Sequence, residues 1–323
     1  AMLLNLLAMP APCATRTPMP VALAVPGAYV PKPIPQTLAE DAQVLLEEAG
    51  GDAEKARLSM MGYTLAFLEE AEPELYQALK SREMRPDVHA ALVEITWDAI
   101  AAFMPLTHTP TPTLAAQKKL AAIARAGCDG TLAVPAVLDV GCGNGLLLPF
   151  VAACGAPPDG YRGIDLSARM VGCAAATYAD DTAYAGVRFD EISFGEVAAG
   201  DERYDTIFFN GALQFFNPAE ALASAAALLN SGPTSRLVIS HLNGAAFVRK
   251  EREESPMTVI STMPTLEEWA EIAAPLGFDV VTPAFFGSDP AEIQAAMEDF
   301  YLIVLRWDAE HGGSPQPSSG SAS

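Results

Sequence analysis

Residues 136 to 150 read Ala-Val-Leu-Asp-Val-Gly-Cys-Gly-Asn-Gly-Leu-Leu-Leu-Pro-Phe, which sets three glycines at alternate positions between an apolar run and a helix-forming one. That order predicts a buried strand, a tight turn and the start of a helix. Glycine at 141, 143 and 145 removes side chains that would hold a ligand off the backbone, and a helix start offers unpaired N–H groups. The polar end of a ligand can therefore rest on this loop. About 20 residues further on, Tyr161 to Leu166 (Y-R-G-I-D-L) predicts a second strand ending in Asp165, whose carboxylate can accept both hydroxyls of a ribose. Asp165 points to an adenosine ligand without naming which.

Spacing separates two ligand classes. The dinucleotide fingerprint G-x-G-x-x-G would need a third small residue where Leu146 stands, which weakens a nicotinamide reading. The pattern present is D-x-G-x-G-x-G, with Asp139 two residues before the first glycine. A carboxylate at that strand end repels pyrophosphate but accepts hydrogen bonds from an ammonium group, directly or through water. This stretch resembles motif I of the class I S-adenosylmethionine-dependent methyltransferases, of the small-molecule type whose first strand reads L-D-V-G-C-G-x-G. The run D-L-S-A-R-M from Asp165 looks like the second motif, and Tyr204 to Asn210 (Y-D-T-I-F-F-N) with the following Gly211 resembles motif IV. His241 to Val248 is also similar to uncharacterised plant and algal members of the superfamily.

The resemblance implies a Rossmann-like, doubly wound α/β sheet of seven strands, the last antiparallel between its neighbours, and S-adenosylmethionine (SAM) as cofactor. It implies that Asp139, Gly141, Gly143, Asn144 and Gly145 hold the methionine part and that Asp165 with Leu166 holds the ribose. Met170, in the first turn of the next helix, would lie over the adenine. The family's adenine-binding acid falls on Ser193 here, a departure; the Ser193 hydroxyl and the Phe194 N–H remain as contacts, with Asp190 or Glu191 as substitutes if the register slips. Asn210 and Gly211 would sit beside the sulfonium, with Gln214, Phe215 and Asn243 facing the acceptor. His241 follows a predicted fifth strand, Leu237 to Ser240, where an imidazole can take a proton from an acceptor hydroxyl or thiol or simply orient a loop. No metal is expected.

The elements around these residues follow from composition. Charge is lopsided, with 19 Lys and Arg against 40 Asp and Glu and a formal net of −21, which repels phosphate backbones and favours a small-molecule acceptor over nucleic acid. No stretch is a clean membrane span. The five cysteines form no C-x-x-C pair, and Cys142 inside the glycine loop reads as a small packing residue. Residues 1–36 contain no acid and many Pro, Ala and Thr residues, as in a disordered arm or a targeting segment; a plastid-type organelle is the destination in the second case and the cytoplasm in the first.

Residues 37–113 predict a helical cap region. Thr37 with Glu40 makes a capping box, Asp52 caps a second helix, and Pro73 and Pro86 suit the first turns of two more. Its aromatics Tyr63, Phe67, Tyr76, Trp97 and Phe103 are either core or pocket wall. An oligomer contact through this region is also possible on sequence grounds. Pro105 to Thr113 reads as a linker, residues 114–310 as the methyltransferase domain and 311–323 as a disordered tail. Within the domain, Ala245 to Met263 has no helical or strand period; its cluster Arg249, Lys250 and Arg252 is either a solvated face or a cradle for an anionic acceptor. Two functions remain open: methyl transfer to a small molecule, and a cofactor-binding but inactive protein that serves as an assembly or regulatory partner.

Overall fold

The computed structural model describes residues 42–104, 112–128 and 135–307. The leader expected at 1–36, the Thr37 and Glu40 capping box, most of the 105–113 linker and the tail at 311–323 lie outside the described residues.

The chain begins with helices α1 (Ala42–Glu48), α2 (Ala53–Ala71), α3 (Pro73–Lys80) and α4 (Pro86–Phe103). Asp52 starts α2, its Oδ1 accepting from the amides of Glu54 and Lys55, and proline opens both α3 and α4, where no amide donor is needed. On α4 the residues Val88, Ala91, Ile95, Ala99 and Phe103 recur at helical spacing and are buried. Ala99 and Phe103 pack with Ala42, Leu45, Ala56 and Met60 into a small core that belongs to this region. Helix α5 (Leu114–Gly127) then leads to the sheet.

Strands and helices alternate from there: β1 (Val137–Val140), α6 (Leu148–Ala153), β2 (Tyr161–Asp165), α7 (Ala168–Tyr178), β3 (Arg188–Glu191), α8 (Phe194–Ala198), β4 (Thr206–Asn210), α9 (Pro218–Leu228) and β5 (Arg236–His241). Helices α10 (Gly244–Glu254) and α11 (Leu266–Ala273), strand β6 (Phe278–Val281), helix α12 (Pro290–Met297) and strand β7 (Tyr301–Trp307) complete it. The seven strands form one sheet in the order β3-β2-β1-β4-β5-β7-β6, parallel from β3 to β5, with β7 antiparallel between β5 and β6. Alternate side chains feed two cores. Leu138, Val140, Ile207, Phe209 and Ile239 face one, and Val137, Phe208, Val238 and Leu302 face the other. Chain order reverses between β1 and β4, so a crevice opens beyond their carboxyl ends, the place where open α/β sheets bind ligands.

Three expectations change. Residues 245 to 263 are not uniformly irregular: Gly244–Glu254 is helix α10, because Ala245, Val248 and Glu251 line one buried face while the charged residues between them are strong helix formers. The apolar run Phe278 to Phe286, which reads as one strand in the sequence, leaves the sheet at Val281, since Pro283 cannot donate to a ladder, and a 3-10 turn at Ala284–Phe286 follows. Strand β5 runs one residue past Ser240, because His241 pairs with Tyr301 of β7.

Candidate functional site

The loop after β1 is held from below. The amides of Gly141 and Cys142 both donate to the Ile164 carbonyl at 2.9 and 3.0 Å, which ties the turn to β2. Gly143 has φ +54°, a left-handed conformation costly for any residue with a Cβ, and a Cβ built there would meet no atom within 4 Å. The loop thus presents bare backbone to open space. Gly145, at φ +78°, serves packing instead, since a Cβ there would strike Tyr178 at 2.9 Å and Phe189 at 3.0 Å.

Asp165, at the end of β2, makes the loop and the next helix one unit. Its Oδ2 accepts from the Gly143 amide and its Oδ1 from the Ser167 amide, both at 2.9 Å. Burial pushes its pKa up to about 6, with the Ser167 and Gly143 amides opposing that shift and Asp98 adding to it. Asp98 comes from α4, where its Oδ1 accepts from the Ser167 hydroxyl at 2.5 Å and the Arg169 amide at 3.3 Å, locking the helical region onto the start of α7. Glu191, at the end of β3, is pushed up to about 7 by burial and then by Asp98.

A single cavity of about 780 Å³ extends from this loop to α4. Its volume falls within the range of about 300–1,000 Å³ usual for ligand pockets. Of the residues singled out from sequence, Gly141, Gly143, Asn144, Asp165, Leu166, Met170, Ser193, Phe194, Asn210, Gly211 and Phe215 line it. Phe194 is packed edge-on against Phe209 and Phe216, which fixes the wall beyond β4. The Ser193 hydroxyl is already engaged: it donates to Glu196 Oε2 at 2.7 Å and accepts from the Glu196 amide in the capping box of α8.

Four expected site residues are placed elsewhere, and Gly145 lies behind the loop with them. Asp139 is 2 % exposed and outside the cavity lining; its Oδ2 accepts from the Tyr161 hydroxyl at 2.5 Å, Oδ1 is buried without a partner among the described residues, and burial pushes the group up to about 7. It supports the loop from behind. His241 is fully buried because β7 extends the ladder to it, and burial holds its pKa down at about 4. It stacks on Phe247 and its Nδ1 accepts from the Asn243 amide, so the expected proton acceptor is a core residue. Gln214 turns inward, its Nε2 donating to the Gly211 carbonyl at 3.0 Å, and Asn243 precedes α10 away from the lining. Arg249 pairs with Glu298 on the protein surface, and the Arg249, Lys250 and Arg252 cluster takes no part in the cavity.

Sequence reasoning missed the wall opposite the loop. Helix α4 contributes Pro86, His89, Ala90, Val93 and Trp97, a stripe at helical spacing, and α9 contributes Glu220, Ala221 and Ser224. Of the five aromatics named in the helical region, Trp97 alone lines the cavity; it meets Phe215 edge-on with centroids 6.0 Å apart. The stripe was present as a helical period, but a period cannot tell which face is core and which is pocket. Leu242 and Ile260 complete the wall from loops that carry no motif.

Sheet order, glycine loop and acid at the end of β2 are the arrangement expected of a Rossmann-like methyltransferase fold. A family model described as a methyltransferase domain matches residues 137–232, from β1 to the turn before β5. No curated protein matches the chain. Among solved structures, the chain is similar to the magnesium protoporphyrin IX methyltransferase of Synechocystis PCC 6803 with bound SAM, at 22 % identity and TM-score 0.42, over 60 % of this chain and 79 % of that one. It is similar also to the plantazolicin methyltransferase BpumL in complex with S-adenosylhomocysteine (SAH) and a pentazolic desmethyl analogue, at 17 % identity and TM-score 0.45, over 72 % and 99 % of the two chains. A third is a SAM-dependent methyltransferase from Mesorhizobium loti, at 18 % identity and TM-score 0.42, over 60 % and 98 %.

Proposed function

We propose that the chain transfers a methyl group from SAM to a small-molecule acceptor held against α4, releasing SAH. The observation that carries this reading is the continuity of one cavity from the bare backbone of Gly143 to the apolar stripe of α4. Gly141, Gly143 and Asn144 would hold the methionine part, Asp165 the ribose, and Met170 with Phe194 the adenine, while Asn210 and Gly211 stand beside the sulfonium. The cofactor brings its own electrophile, so the protein's work is to align the partners and exclude water. Trp97, Phe215 and Val93 supply an apolar surface for that alignment. The acidic groups Asp87 and Glu220 line the same cavity, and its guanidinium among the described residues, Arg85, is engaged by Asp87 and Glu83, so an anionic acceptor is disfavoured.

Incubation with SAM and a library of uncharged and anionic small molecules, read as methylated product together with SAH, tests the reading. Turnover confined to uncharged acceptors is expected. A second reading, a cofactor-binding but inactive partner protein, is favoured by the apolar residues exposed on α1 and α2, Val44, Leu58, Tyr63 and Phe67, each more than half exposed. SAH binding with no turnover on any acceptor would select it. The same apolar residues are where an oligomer would form.

A further inference from the structure

His89 sits in the second turn of α4, one turn before Val93 and two before Trp97, and shares their cavity-facing stripe. Its Nε2 lies 2.8 Å from the carbonyl oxygen of Thr258, which can only accept, so Nε2 carries the proton and Nδ1 holds a lone pair. Among the described residues Nδ1 has no hydrogen-bond partner. Thr258 is itself fixed. It belongs to a strap whose Ile260 and Ser261 amides both donate to the Gln214 carbonyl, at 3.0 and 3.2 Å, so the ring cannot swing without breaking a clasp between α4 and the strap.

We infer that His89 is a specificity-determining residue: its Nδ1 accepts a hydrogen bond from a hydroxyl on an uncharged, flat aromatic acceptor that packs against Trp97 and Phe215. This rests on the methyl-transfer reading of the cavity. Three observations select this acceptor class. The edge-on pair Trp97 and Phe215 offers ring faces and edges suited to an aromatic partner. Glu220, together with the excess negative charge of Glu83 and Asp87 over Arg85, repels a carboxylate or phosphate. A ring nitrogen that holds a lone pair but no proton rewards a donor and leaves a pure acceptor unpaired. Burial holds the His89 pKa below its ordinary value, against the Thr258 carbonyl, which keeps the ring neutral and its lone pair available near neutral pH.

The test compares three probes on the full chain with SAH present: 2-naphthol, 2-methoxynaphthalene, which cannot donate, and 2-naphthoate, which is anionic. The expected result is binding of naphthol roughly fivefold tighter than the methoxy compound, with naphthoate weakest. In His89→Phe the naphthol preference falls to about one, while affinity for the methoxy compound and for SAH is unchanged. A clasp with no recognition role would instead weaken every probe equally. If His89→Phe fails to fold, imidazole nitrogen resonances of the native chain take its place: the Nδ1 signal of His89 shifts with naphthol and stays put with the methoxy compound. No naphthol preference in the native chain, a preference that survives in His89→Phe, an Nδ1 signal unmoved by naphthol, or no binding of any probe would each overturn the inference. SAH affinity, measured in the same titrations, keeps that failure apart from failure of the methyltransferase reading.

Discussion

At the β1 end the cavity is lined by main-chain atoms, held in place by Asp165 on the Gly143 and Ser167 amides; at the α4 end it is lined by side chains, Ala90, Val93, Trp97 and His89, projecting from one helix. Main-chain recognition constrains the sequence tightly, because a left-handed turn tolerates few residues. Side-chain recognition constrains it loosely, because any apolar residue at helical spacing keeps the helix. One rim is suited to a ligand shared by many proteins, and the other can change acceptor without disturbing the fold.

Breaking the first rim gives the largest effects. Gly143→Val forces a β-branched residue to φ near +54° and fills the space the ligand needs, so SAH affinity should fall by at least about a hundredfold with helical content unchanged. Asp165→Ala frees two amides and removes the proposed ribose acceptor; a loss of SAH affinity of roughly tenfold to a hundredfold is expected by calorimetry. Trp97→Ala sharpens the contrast from the other side: SAH affinity should hold within about twofold while the KM of an aromatic acceptor rises roughly tenfold. SAH affinity falling in step with acceptor affinity would show that the two rims are not separate.

The smallest effect concerns Asp139, which stands behind both. Its folded pKa, about 7, lies above the value of an unfolded aspartate, so its contribution to stability is fully present at low pH and is lost as pH rises through 7. Asp139→Asn keeps an oxygen for the Tyr161 hydroxyl and removes the buried charge. The variant should therefore match the native chain near pH 4 and exceed it near pH 8 by on the order of 1 kcal/mol, read by chemical denaturation. A loss of stability near pH 8 would show that the carboxylate has a cationic partner.

The two rims also differ in how far they could be read before the structure. Gly143 and Asp165 were legible because a glycine turn followed by a strand-end acid stands out in sequence before any fold is known, and the seven-stranded sheet came with the resemblance those residues carry. Helix α10 was not, since Arg249 to Glu254 is a run of charges that hides the buried face formed by Ala245, Val248 and Glu251. His241 and Gln214 were misplaced for tertiary reasons: Tyr301 extends the ladder over the first, and residues 260 and 261 bind the backbone of the second. His89 carried no motif at all. A lone histidine on a helix becomes a candidate only when the fold sets it in a cavity beside Trp97 and against a carbonyl 169 residues away in sequence.

The central claim is that the β1 loop holds SAM rather than a dinucleotide. Calorimetric titration of the full chain with SAH and, separately, with NADH tests it most directly. Micromolar binding of SAH and none of NADH is the result the cavity predicts; NADH binding, or no binding of either, would contradict it.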